Sequence, residues 1–335
     1  MLKDVPQLIN NKMNISNDSF LSYQEVKETI DKFEKEEWPI YDGIDLDTYL
    51  NKVNNRIISI CHDKNYVFPA LFFPGNEDFE FKYFRVRPVD EIKCKTLRAE
   101  YSYPPVAFTK SLRANLHGYP VFYCSDHPTV ALLEYIQRWD NDNYKNREYA
   151  ISRWSIKPNT KFLFQPFIPE KYNAINEYGM FAEYDNDDVR KLKWASHLTD
   201  DVLDGLRLFR DYFSDLFLRD DKRSISSFLA HRFLYGNGHS IDMLIYPSTK
   251  AKFGINNFAF HPNFVDEKMQ LDRIYRLTVN DISEKVNRKF EFNLTHVNEF
   301  AINHNSQIHW FPIEPNKAKF DEFIKLDFKE NFKEL

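Results

Sequence analysis

The chain has 335 residues, 43% hydrophobic and 28% charged, a globular balance that excludes disordered and collagen-like architectures and suits one large domain or two modest ones. Its 45 Lys and Arg against 50 Asp and Glu leave a net charge of −5, and both signs are interspersed. That argues against a nucleic-acid partner, because phosphate binding concentrates positive charge.

The first 75 residues read as a mainly helical extension. Ser22 with Glu25 forms a capping-box signature for a charged helix ending near Trp38-Pro39. From Asp45 onward, Leu46, Tyr49, Leu50, Val53, Ile57, Ile60 and Cys61 recur at helical spacing. Pro69 and Phe72-Phe73-Pro74-Gly75 then break the pattern. Residues 79–87 alternate with period two and stop at Pro88, as a half-buried strand does. Val106–Thr109 and Val121–Cys124 read as further strands. Ser125-Asp126-His127-Pro128 supplies a start for a helix running to Trp139, and more β sequence follows at about 149–165.

In the second half, residues 200–219 carry the strongest helical pattern, and Ser224–Tyr235 reads as another helix closed by Gly236. Strands are predicted at Ile241–Tyr246, Asn257–Phe260, 273–279, 288–293 and 307–311, and the last 15 residues as a docked helix or a loose tail. Helices and strands mix without regular βα alternation, which predicts an α+β fold.

The three cysteines, Cys61, Cys94 and Cys124, are odd in number and sit beside apolar sequence, which reads as buried thiols in a reducing, cytoplasmic compartment. The N-terminus lacks the apolar core of a signal peptide, and no apolar run approaches the length of a membrane span. Among the eight glycines the close pair Gly236 and Gly238 has no third member and leads into a strand, so it fails the dinucleotide fingerprint, and no phosphate loop is present. No metal is expected, since His-Glu-x-x-His and Cys-x-x-Cys are both absent. Asp140-Asn-Asp142 and Asp185-Asn-Asp187-Asp188 read as solvated turns rather than calcium loops. His239-Ser240 lies outside any serine-hydrolase context.

Residues 113–134 stand apart. Arg113 precedes a Gly/Pro turn, a strand carries Tyr123, and a capped helix carries Glu134 among Leu132, Leu133 and Ile136. By periodicity that acid is either at the rim of the buried face or paired inside it. Phe84-Arg85-Val86-Arg87-Pro88, Arg113-x-Asn115-x-x-Gly118-x-Pro120-x-x-Tyr123, Ala131-Leu-Leu-Glu134, and later Ile245-Tyr246-Pro247-Ser248-Thr249 with Asn257-Phe-Ala-Phe260 together resemble the RES domain family. Its known members include the toxins of Xre–RES toxin–antitoxin pairs, which degrade NAD⁺.

The resemblance covers roughly residues 80–265. It implies an ADP-ribosyltransferase-like core at 76–280 with a helical insertion at about 166–235, flanked by the helical extension 1–75 and a β-rich extension 281–335. Carried over residue by residue, the family's arginine falls on Arg113, its tyrosine on Tyr123, its glutamate on Glu134 and its serine on Ser248, and Arg85 occupies the early strand position. NAD⁺ is then a substrate rather than a cofactor. Glu134 is expected to stabilise the positive ribose formed on cleavage, Arg113 to hold the pyrophosphate, and Tyr123 to stack on a ring or position the ribose, with Arg85 and Asn115 also among the residues expected to bind NAD⁺. Ser248 is expected at the nicotinamide or the ribose. As residues alone, Tyr123 equally suits a packed core tyrosine and Ser248 a turn after Pro247.

Leu112 and Ala114 depart from the family's usual glycine and aromatic on either side of the arginine. The resemblance implies hydrolysis or phosphorolysis of NAD⁺ by a toxin or defence effector, with an antitoxin or regulatory protein as partner. The alternatives are an ADP-ribosyltransferase acting on a macromolecule and a non-catalytic NAD-binding module, and the oligomeric state is left open.

Overall fold

The protein is described by a computed structural model over residues 16–41, 45–65, 71–73, 75, 81–139, 143–179, 195–219, 223–236, 241–285 and 289–328. Its helices begin where local chemistry dictates. Helix α1 (Tyr23–Lys35) starts at Ser22, whose hydroxyl accepts from Glu25 N while Glu25 Oε2 accepts from Ser22 N at 2.8 Å, the reciprocal capping box. Helix α2 (Leu46–Ile60) starts at Asp45, whose carboxylate accepts from Thr48 N at 2.9 Å; these bonds from Thr48 hold Asp45 below the usual carboxylate range.

Ten strands of the described residues form one sheet: β1 (Leu71–Phe73), β2 (Lys82–Pro88), β3 (Phe122–Ser125), β4 (Arg147–Ile156), β5 (Phe162–Pro166), β6 (Met243–Pro247), β7 (Asn256–Phe260), β8 (Met269–Lys285), β9 (Lys289–His304) and β10 (Gln307–Pro312). Their order is β1-β5-β6-β7-β3-β2-β4-β8-β9-β10, antiparallel throughout except for β5 beside β6. The period of two along a strand separates the cores: on β6, Leu244 and Tyr246 enter one and Met243 and Ile245 the other. With its helices, this makes the fold α+β, as the sequence predicts.

Among the described residues, helices cover the sheet in three places. Over β3, β6 and β7, helices α1 and α2 share a core with α4 (Asp200–Leu216) and α5 (Arg223–Tyr235), built on Phe33, Tyr49, Ile57, Phe213 and Leu229. Over β2, β4, β8 and β9 lie α3 (Pro128–Trp139) and α7 (Lys317–Phe328), joined through Leu132, Ile136, Leu277, Phe300 and Phe320. A short helix, α6 (Pro262–Lys268), packs Phe264 and Val265 against the other face. Helix α7 is fastened by Asp327, which accepts from Tyr275 Oη at 2.5 Å and lies 3.3 Å from Arg153 Nε, while Arg153 also meets Asp272 at 2.5 Å.

Several expectations are corrected. Val106–Phe108 is a 3₁₀ turn rather than a strand: two prolines precede it, and a segment without a neighbouring ladder closes its hydrogen bonds locally. Strands β8 and β9 run far beyond the predicted 273–279 and 288–293, because each pairs with the other where single-chain alternation fades. Helix α6 was not predicted; His261 caps it through its side chain. Cys94 is exposed, while Cys61 and Cys124 are buried. Residues 321–328 dock as part of α7. Pro69, Pro74, residues 79–80, the two acidic runs at 140–142 and 185–188, Gly238, His239-Ser240 and residues 329–335 lie outside the described residues. Among the described residues no helix is long and apolar enough to cross a membrane, and no group of three or more His, Cys, Asp or Glu is placed to hold a metal.

Candidate active site

Strands β2 and β3 meet and then part. Their register is a single pair, Phe84 with Ser125. One residue further along β2, Arg85 reaches across the gap and its Nη1 donates to Tyr123 O at 2.9 Å, where a paired strand would have offered a backbone N–H. A cavity of about 740 Å³ opens at this divergence. Its floor and back are Glu134 of α3, Tyr123 and Cys124 of β3, Tyr246 of β6 and Asn257 of β7, and its lip is the segment from Ser102 to Leu112.

Glu134 is the half-buried acid of the floor. Its Oε1 accepts from Ser248 Oγ at 2.6 Å and from Asn257 Nδ2 at 2.8 Å, so two donors from separate elements fix one oxygen. Among the described residues no donor reaches Oε2, and the residue faces the cavity. The carboxylate is therefore oriented with one oxygen available to a ligand.

Ser248 follows β6 at the start of the loop into β7 and is fully buried. Its N–H donates to Ile255 O at 2.8 Å and its hydroxyl accepts from Lys250 N at 3.2 Å. The loop is pinned by two residues that follow β5: Tyr172 stacks on Phe253 with ring centroids 3.9 Å apart, and Asn176 Nδ2 donates to Phe253 O at 2.6 Å. Residues 170–179 thus help to hold the donor that orients Glu134.

On the opposite wall, Leu112 and Asn115 close a tight turn through paired backbone bonds. Tyr123 Oη accepts from Ala114 N at 2.9 Å and donates to Asn115 Oδ1 at 2.8 Å, and Asn115 Nδ2 donates to Lys110 O at 2.9 Å. Tyr123 and Asn115 both line the cavity while bracing the turn. Small Ala114 is fully buried in the core beneath α1, α2, α4 and α5. Gly118 adopts φ +79, a left-handed conformation that favours glycine, as the chain turns into β3.

The structure brings Glu134, Ser248, Tyr123, Asn115 and Arg85 together around one cavity, directly or through one hydrogen bond. Arg113 is placed differently: it belongs to the same turn, is only 9% exposed, and is not among the residues lining the cavity. Arg85 does line it. Its guanidinium lies 5.4 Å from the Phe122 ring, its Nε has no hydrogen-bond partner, and it forms no ion pair among the described residues. Desolvation, then the neighbouring Arg87, pull its pKa down to about 10, so it remains a cation at neutral pH. Arg87 is engaged with Glu100, through its carbonyl at 2.5 Å and its carboxylate at 3.2 Å.

At the junction of β3 and α3, burial raises Asp126 to about 7 and lowers His127 to about 4. Asp126 Oδ1 accepts from Asn256 N at 3.1 Å, one residue from Asn257.

Asn257 has a contact to Glu134 that the sequence reading did not assign. The available signal was a polar pair, Asn256-Asn257, opening an otherwise apolar buried strand. A family model described as the RES domain matches residues 83–280, more than half of the chain. No curated protein matches it.

Proposed function

The chain belongs to the RES domain family, and from that premise we propose that it is an enzyme that consumes NAD⁺ by breaking the nicotinamide–ribose bond. The observation that carries the reading is the orientation of Glu134, which lines the cavity with one oxygen held by Ser248 and Asn257 and the other met by no donor among the described residues. When the C1′–nitrogen bond breaks, its electron pair leaves with neutral nicotinamide and the ribose becomes oxocarbenium-like. A fixed carboxylate oxygen beside C1′ stabilises that developing charge without reorganising at the moment of reaction. Water then adds its oxygen to C1′ and releases a proton, giving ADP-ribose; phosphate in the same role gives a phosphorylated product.

The pyrophosphate needs cations on the cavity wall. Arg85 and Lys110 meet that need, since both line the cavity, and Arg85 has no carboxylate partner to displace among the described residues. This moves the anchoring role away from Arg113, whose turn instead carries Ala114 and Asn115 to Tyr123. Tyr123 and Asn115 shape the wall, and Ser248 acts through Glu134. The family resemblance further supports action as a toxin or defence effector in the cytoplasm, held in check by a partner protein.

The test is nicotinamide release from NAD⁺ by the purified chain, with and without phosphate, beside Glu134→Gln. Release that vanishes in the variant supports the reading, and its phosphate dependence separates phosphorolysis from hydrolysis. Binding of NAD⁺ with no release under either condition would count against an enzyme and for a binding module.

A further inference from the structure

The lip of the cavity carries a feature that bond cleavage at Glu134 does not use. Phe108 lines the cavity yet is 74% exposed, and it makes no ring contact among the described residues. Single exposed apolar residues are ordinary on a protein surface, but this one is held in place. Its N–H donates to Pro105 O at 2.9 Å, and Thr109 Oγ1 donates to the same carbonyl at 3.1 Å. Upstream, Tyr103 Oη donates to Asp266 at 2.6 Å, and downstream Asn115 fixes the carbonyl of Lys110. The turn therefore presents a free aromatic face at the mouth, two residues from a cavity-lining cation.

We propose that Phe108 is the stacking platform for the adenine of the dinucleotide, with Lys110 beside the phosphate that follows it. This rests on the NAD⁺ reading above. The bond that breaks must lie against Glu134 on the floor, so the half of the molecule that is not cleaved extends toward the mouth, where the exposed ring stands. An aromatic face accepts a planar base through stacking, whatever the base's hydrogen-bonding edge.

The test is calorimetric titration of the full chain with ADP-ribose, AMP and nicotinamide mononucleotide, for the parent, Phe108→Ala and Phe108→Tyr. Phe108→Ala is expected to weaken ADP-ribose and AMP by about tenfold or more, as loss of one stacked base does, and to leave nicotinamide mononucleotide unchanged. Phe108→Tyr is expected to bind like the parent. In turnover, Phe108→Ala raises KM for NAD⁺ with kcat unchanged, the signature of binding lost equally from ground and transition states. No change for ADP-ribose, or equal weakening for all three ligands, overturns the platform while the NAD⁺ reading stands. A parent chain that binds neither NAD⁺ nor ADP-ribose overturns both. The ring is exposed, so unchanged melting of the variants confirms that folding is not what the titration reads.

Discussion

The floor and the lip of the cavity are built on opposite plans. On the floor, Glu134 is met by donors from two elements, one of them, Ser248, fully buried and its loop pinned by Tyr172 and Asn176. On the lip, Phe108 and Val106 stand 74% and 59% exposed on a turn closed by its own backbone. The difference teaches where precision is needed. A group that stabilises charge at one atom must be fixed to a fraction of an ångström, whereas a group that receives a flat ring needs only a face.

The largest expected effect breaks the floor. Glu134→Gln should lower kcat by about 10³-fold with KM little changed, the scale of losing a preorganised electrostatic contact. The amide oxygen can still accept from Ser248 and Asn257, so the melting temperature should hold; a variant with parental kcat sinks the assignment. Next comes the wall between the two regions. Arg85→Ala removes charge-assisted bonds worth about 1.5–3 kcal/mol each, which predicts about a 10- to 150-fold loss in kcat/KM for NAD⁺. Arg113→Ala should cost less than Arg85→Ala in steady-state kinetics, and the reverse ranking would return the pyrophosphate to Arg113. A smaller effect is expected from Asn257→Ala, about fivefold in kcat, since Ser248 still holds Oε1 and one ordinary hydrogen bond contributes about 1 kcal/mol.

The smallest effect on turnover is expected behind the floor, and it is read as stability against pH. Asp126 is raised to about 7 in the fold, so the unfolded chain loses that proton first and stability falls as pH rises from about 4 to 7. His127 is lowered to about 4, so the unfolded chain gains that proton first and stability falls as pH drops from about 6.5 to 4. The two slopes oppose each other across their shared window. Asp126→Asn removes the first, so melting temperatures of the variant minus those of the parent should climb between pH 4 and 7 and level off above. A difference that stays flat across that range contradicts a raised Asp126.

Much of this organisation was legible in the sequence where the cause is local. Ser22 with Glu25 marks α1, and the helical spacing from Leu46 to Ile60 marks α2, because caps and periodicity act within a few residues. The resemblance placed Glu134, Ser248, Tyr123, Asn115, Arg85 and Arg113 in one site; the first five meet around the cavity, directly or through one hydrogen bond, and Arg113 does not line it. What was not legible depends on partners distant in sequence. The turn at Val106 looks like a strand, but it pairs with no strand among the described residues. Asn257 reads as the start of a strand until Glu134 arrives from 123 residues earlier in the chain. The burial of Arg113 follows from the helices packed around its turn, and nothing in its own vicinity signals it.

The shared core of α3 and α7 bears on how the chain can be cut. The family match ends at residue 280, but Leu132 and Ile136, on the helix that carries Glu134, pack in the same cluster as Phe300, Phe320 and Phe328. A protein trimmed to the matched span would leave those apolar side chains facing water on one side and, with α1 and α2 gone, Leu116 and Ala259 partly uncovered on the other. The stretch of sequence that defines the family here is therefore shorter than the smallest piece expected to stay folded and hold the glutamate still.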